Sequence, residues 1–146
     1  MLAKFNIGFA YGLNLLVGGG TQAYYNYGCF YVGVELAKAM ADVLPNWADM
    51  SIEERLERLL ESMDLADEIA VSREGETLTV TVRGCHFCPK RVGGYELEGT
   101  ACLLPSLIAG VVHHETGAGV KLKDVLKALD WSVGEECKVS ISLRQA

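Results

Sequence analysis

Apolar and polar residues alternate with different periods in different parts of the chain. From Phe5 to Val34 there is no period at all, because 30 residues pass without one Asp, Glu, Lys or Arg. Gly18, Gly19 and Gly20 divide this stretch. It predicts two buried helices, one from about Leu2 to Val17 and one from about Thr21 to Val43. The charges Glu35, Lys38 and Asp42 come late in the second, and Pro45 lies beyond its end. A helix apolar on all sides belongs in the centre of a core or in an interface. The next segment is amphipathic. Ser51-Ile52-Glu53-Glu54 is a capping box, and Ile52, Leu56, Leu59, Leu60 and Met63 follow at helical spacing. A period of two then appears. Leu78, Val80 and Val82 alternate with Thr77, Thr79 and Thr81, and with a strand around Ile69–Ser72 and a turn at Gly75 they predict a hairpin. A loop with glycines, Arg91–Thr100, leads to a helix that opens near Cys102, carries Pro105 in its first turn and ends near Gly117. Its buried side is Leu104, Leu107, Ile108, Val111 and Val112. Residues Val120–Trp131 fit both a helix and a strand. Cys137, Val139, Ile141 and Leu143 face one way and Lys138, Ser140, Ser142 and Arg144 the other, so the last segment is a strand after a turn at Gly134-Glu135-Glu136.

The charge-free stretch raises the question of a membrane. A spanning helix needs about 20 predominantly apolar residues. Here the glycine triplet interrupts the run, and Asn6, Asn14, Thr21, Gln22 and Asn26 add polar groups, so no membrane span is expected. The apolar piece before the glycines has the length of a signal-peptide core, but no small-x-small cleavage site follows it. Gly8 and Gly12, four apart, lie on one helix face and let another backbone approach, either within the subunit or across a dimer. Eight of the twelve aromatic residues fall in the same stretch. Tyr24, Phe30 and Tyr31 admit two readings, ordinary core or the lining of a pocket for an apolar ligand. The excess of Tyr over Phe favours the pocket, since each buried phenol needs a hydrogen-bond partner. Cys29 reads as a small buried hydrophobe.

At 146 residues the chain is long enough for one domain, 1–146, with a core that needs no covalent staples. Thirteen basic against 19 acidic residues give a net charge of −6, so no nucleic-acid partner is expected. Five cysteines are an odd number, unlike a secreted disulfide framework. They point to a reducing, cytoplasmic setting in which thiols serve a metal or chemistry.

Four of them form the pattern Cys85-x2-Cys88-x13-Cys102-x34-Cys137. The x2 spacing lets two thiolates from one tight turn reach one metal ion. Cys102 at a helix start and Cys137 at a strand start supply a third and a fourth ligand. A helix N-terminus favours a thiolate, so Cys102 is expected to deprotonate easily. His86, His113 and His114 are alternative ligands. Three other readings stay open: an iron–sulfur cluster, a redox dithiol, and unligated core thiols. No Glu/His pair has the spacing of a general base beside a catalytic metal, so the metal site is read as structural, and zinc as its occupant.

The Tyr27–Gly33 stretch Tyr-Gly-Cys-Phe-Tyr-Val-Gly leading towards Glu35, the hairpin, Cys102 before a helix carrying Gly110, and a final strand with Gly134 then Cys137 resemble the 4-vinyl-reductase domain family. That fold is shared with vesicle-tethering TRAPP subunits. The resemblance covers about residues 2–144. It implies an α/β (α+β) fold with an antiparallel sheet flanked by helices, a homodimer, a pocket for a small hydrophobic molecule and, in the sensor members, a bound zinc. Family zinc ligands include a cysteine before the last long helix and one on the last strand, which Cys102 and Cys137 match. The family's further cysteine on the preceding strand is missing, because no cysteine lies between Cys102 and Cys137. Cys85 and Cys88 are expected to replace it. The expectation is a ligand-sensing or carrier domain with structural zinc, more a binder than an enzyme. The alternatives are a redox or electron-transfer protein and an interaction subunit.

Overall fold

A computed structural model of the chain describes residues 2–17, 21–88, 102–117, 129–130 and 136–143. The loop read at Arg91–Thr100, most of the ambiguous segment Val120–Trp131 and the turn at Gly134-Glu135 lie outside the described residues. The elements are α1 (Leu2–Val17), α2 (Thr21–Val43), a 3-10 turn (Trp47–Asp49), α3 (Ile52–Ser62), β1 (Glu68–Glu74), β2 (Thr77–Arg83), α4 (Leu104–Thr116), β3 (Leu129–Asp130) and β4 (Glu136–Ser142). This is a mixed α+β fold with an antiparallel sheet and flanking helices, as the resemblance implied.

The sheet order is β1-β2-β4-β3, antiparallel throughout. Val80 pairs with Val71 on one side and Val139 on the other. The period of two therefore sends Leu78, Val80, Val82, Val139 and Ile141 to one face, where all five are buried. The capping box at Ser51 forms as its spacing predicts, with Ser51 Oγ accepting from the Glu54 N–H and the Glu54 carboxylate accepting from the Ser51 N–H. Behind it Leu56, Leu59 and Leu60 are fully buried, each worth roughly 1.5–3 kcal/mol of transfer free energy.

The centre of the core is α4, not the N-terminal helices. Every residue from Leu104 to Val112 is buried. It is packed on α2 so closely that the backbones touch. A Cβ placed on Gly33 would collide with the Leu107 carbonyl, and one on Gly110 would collide with the Phe30 carbonyl. The two glycines therefore serve one crossing from opposite sides. Burial of α1 and α2 is one-sided. Ala10, Tyr25, Asn26 and Ala37 are buried, while Phe5, Phe9, Leu15, Leu16, Tyr24, Tyr27 and Tyr31 are exposed. The described elements leave these outer faces uncovered, so the two helices are not buried on all sides as the charge-free stretch predicts. Among the described residues no helix is long and apolar enough to cross a membrane.

A polar cluster ties α3 to the end of α4. Arg55 donates to the Glu115 carboxylate and to the carbonyls of Trp47 (2.9 Å) and Ala48 (2.8 Å), and Trp47 Nε1 donates to Glu115 (3.1 Å). Glu115 is almost fully buried, so this pair holds Trp47 in the core rather than decorating a surface.

Candidate metal centre and adjoining cavity

The end of the sheet where β2 exits and β4 begins carries three of the four cysteines. Cys137 stands opposite Val82, one step before β2 ends at Arg83. Gly84 then turns the chain with φ +65°, and a side chain there would collide with Asp67. Glycine is needed at this point for both reasons. The turn beyond it holds Cys85, His86, Phe87 and Cys88, with the Cys88 N–H on the Cys85 carbonyl at 3.3 Å. Cys102 approaches from the other direction, two residues before α4 begins. Cys85 is buried in the main core, and Cys88 and Cys102 pack against that core.

His86 pins the turn. Its N–H donates to the Leu65 carbonyl (2.8 Å), and its ring nitrogens meet the Asp64 carbonyl (2.7 Å) and the Asp67 carboxylate (3.0 Å). The Asp67 bond, helped by the Asp64 carbonyl, raises its pKa. Both nitrogens are engaged, so His86 is a support for the turn and not a spare ligand. His113 and His114 sit in the last turn of α4, roughly 15 Å along the axis from Cys102 at 1.5 Å per residue. The His113 ring lies 5.5 Å from Phe30.

Burial pushes the Cys102 thiol up to about 12, against the Leu104 N–H, which bonds the sulfur and lowers it. Cys85, Cys137 and Cys88 each push it further up by charge repulsion. This corrects the expectation of an easily ionised Cys102. The helix N-terminus does act on the sulfur, but loss of solvent outweighs one N–H. The charges of the other three cysteines of the pattern thus reach Cys102. The four do not yet converge on a point: among the described residues no group of three or more His, Cys, Asp or Glu side chains is arranged to hold a metal ion. The donor chemistry nonetheless fits a thiophilic cation, with four thiols from three segments and one backbone N–H already directed at a sulfur. Ser106, one turn along α4 from Cys102, adds a second sign. Its hydroxyl is fully buried and has no hydrogen-bond partner among the described residues, which is rare for a buried hydroxyl.

A cavity of about 200 Å³ adjoins this cluster. From α1 it is lined by Phe5, Asn6 and Phe9, and from α2 by Tyr25, Cys29 and Val32. Phe87, inside the Cys85–Cys88 turn, and Leu103, next to Cys102, form the wall on the cysteine side. The polar groups of the lining serve one another. Tyr25 O–H donates to Asn6 Oδ1, and Asn6 Nδ2 donates to the Phe87 carbonyl at 3.0 Å. Burial raises the pKa of Tyr25 and pushes the Cys29 thiol up to about 11. Both therefore stay neutral at ordinary pH, and no lining residue carries a charge. Two larger depressions, of 710 and 500 Å³, are troughs edged by charged side chains such as Glu57, Glu61 and Glu68.

None of Tyr24, Phe30 and Tyr31 lines the apolar cavity. Tyr24 and Tyr31 are exposed, and Phe30 is half-buried, edge-on to Tyr31. Tyr25, Cys29 and Asn6 were missed as lining residues. The available signal was Tyr25 and Cys29 four apart, in line with Gly33 and Ala37, together with an amide in an otherwise apolar helix.

Residues 21–143 match the profile of the MJ0207 family. Over 106 residues the chain is 35% identical to the uncharacterized protein MJ0207 of Methanocaldococcus jannaschii, covering 73% of this chain and 68% of that one. A second uncharacterized protein of the same organism, MJ1342, is 24% identical over 90 residues, 62% of this chain and 76% of that one. No solved structure matches the chain. These findings overturn the resemblance to the 4-vinyl-reductase domain family, for which no match occurs. The residues behind that resemblance have a local explanation. Gly33 and Gly110 are required by the α2–α4 crossing, and any tight helix pair selects such glycines whatever its ancestry.

Proposed function

The chain belongs to the MJ0207 family, and on that premise we propose that it is a small-molecule-binding protein whose pocket wall is set by a structural zinc ion. The ligand is a small, neutral, hydrophobic molecule held in the cavity between α1, α2 and the cysteine cluster. Cys85, Cys88, Cys102 and Cys137 are the zinc ligands. The observation that carries the reading is the double membership of Phe87 and Leu103, which flank the cysteines and line the cavity. When bound, zinc cross-links the four thiolates, and its binding free energy becomes folding free energy. The chain supplies the rest. His86 and Asn6 fix the Cys85–Cys88 turn, the Leu104 N–H supports the Cys102 sulfur, and the Ser106 hydroxyl gains an acceptor one turn away. The lining carries no charge to hold an ion or act on a substrate, which favours binding, as in a sensor or carrier. The thiols suit a reducing, cytoplasmic compartment.

Metal and sulfide analysis of protein purified without oxygen tests the reading, together with its visible spectrum. About one zinc per chain and no sulfide is the expected result, with the metal lost and the melting temperature lowered in Cys88→Ser. Iron with sulfide would replace zinc by an electron-transfer cluster. Metal-free protein, or Cys88→Ser with full zinc and an unchanged melting temperature, would overturn the assignment.

A further inference from the structure

We infer that a second copy of this chain covers the outer faces of α1 and α2, and that this contact closes the mouth of the apolar cavity. The inference rests on the cavity being the binding site.

On α1, Phe5, Phe9 and Leu16 recur at helical spacing with Leu15 to one side of them, and on α2 Tyr24, Tyr27 and Tyr31 recur at helical spacing too. All are exposed: Phe5 keeps 70% of its surface, Leu16 83% and Tyr27 58%. The five aromatics contribute roughly 600 Å² at about 200 Å² per ring. Leu15, Leu16 and Val32 extend that face towards the roughly 800 Å² per partner of a standard interface. A monomer's largest apolar patch is about 300–600 Å².

A like surface is the partner this face fits best. It has no charge from Phe5 to Val34, so it selects neither an acidic nor a basic protein. The same lack of cations, on a chain of net charge −6, gives no attraction to anionic lipid. Gly8, Gly12 and Gly28 have open space where a side chain would stand, leaving hollows between aromatic ridges. A two-fold axis sets the ridges of one copy over the hollows of the other, since an isologous contact uses the same patch twice.

The cavity is incomplete without this contact. Phe5, Phe9 and Val32 line it and yet remain about half exposed or more. They are at once the rim of the cavity and part of the outer face. Covering them leaves Cys29, further in, sealed from water.

Sedimentation velocity across a concentration series tests the contact, and the alkylation rate of Cys29 by iodoacetamide, followed by peptide mass spectrometry, tests the closure. The parent protein is expected to be a dimer at micromolar concentration. Tyr27→Glu and Leu16→Glu, one on each helix and neither in the cavity, each weaken the dimer at least about 100-fold, because each buries an unpaired carboxylate. Circular dichroism of both variants should match the parent, and Cys29 should react about 10-fold faster or more once its burial is relieved. A parent that is monomeric at about 100 μM would overturn the interface, as would an unchanged dimer in both variants. Loss of the dimer with no change at Cys29 would overturn the closure. A monomer that sediments with phosphatidylcholine vesicles would assign the face to lipid instead. Zinc content, measured on the same samples, separates a failure here from a failure of the metal site.

Discussion

Replacing Gly33 by alanine probes the contact on which the positions of both the cavity and the cysteines depend. The added methyl meets the Leu107 carbonyl and, behind it, the backbone N of Val111. Neither can rotate away as a side chain would, so α2 and α4 must separate. Overpacking of this kind costs about 1–3 kcal/mol, and the upper end applies where only backbone can yield. Alanine returns about 1 kcal/mol of helix propensity over glycine. The net loss is about 2 kcal/mol, which lowers the melting temperature by roughly 4–8 °C for a chain of this size. Gly110→Ala should cost about the same, since its methyl meets the Phe30 carbonyl in the same crossing. The double variant should cost clearly less than the sum, because the first methyl already opens the gap for the second. Urea unfolding of the parent, both single variants and the double variant reads these terms. Gly28→Ala, with nothing within 4 Å, serves as the control in the Leu16→Glu background. It should gain about 0.5–1 kcal/mol from propensity alone. A Gly33→Ala protein as stable as its parent, or strictly additive losses, would refute the shared backbone contact.

Removing the support of the cysteine turn should weaken the metal without removing a ligand: His86→Ala is expected to release zinc to a chelator about 10-fold faster, read with a chromogenic chelator, with the zinc stoichiometry unchanged. Glu115→Ala leaves the Trp47 N–H without its acceptor and Arg55 with two carbonyls but no counter-charge, and should cost about 2–4 kcal/mol in urea unfolding, because Glu115 is nearly fully buried. Cys29 gives a pH signature. Its pKa rises from 9.0 to about 11 on folding, so the folded state holds the proton more tightly. That contribution is fully present below about pH 9 and is lost as pH rises towards 11. Stability should therefore fall over this window more in the parent than in Cys29→Ala, and parallel curves would contradict the burial of the thiol.

Local signals in the sequence account for α1 to α4, the β1–β2 hairpin and β4, whereas β3 lies in the Val120–Trp131 segment that fits both a helix and a strand. The capping box at Ser51, the alternation from Thr77 to Arg83, and Pro105 with Gly117 at the two ends of α4 are local signals, and each acts within a few residues of its own element. The x2 pair and the placement of Cys102 and Cys137 at element starts were legible for the same reason. Tertiary structure alone decided which all-apolar helix is central. α2 and α4 are both largely apolar, and only the close approach of their backbones, Gly33 to Leu107 and Gly110 to Phe30, puts α4 inside and leaves Tyr24, Tyr27 and Tyr31 outside. It also decided the cavity. A face of a helix can be read from a spacing of four, but which face meets a void depends on what packs against it. Tyr25 and Cys29, not Tyr24 and Tyr31, therefore came to line it. Ionisation was decided last. A helix N-terminus is visible in sequence, whereas the burial that overrides it at Cys102 exists only once the chain has closed around the sulfur.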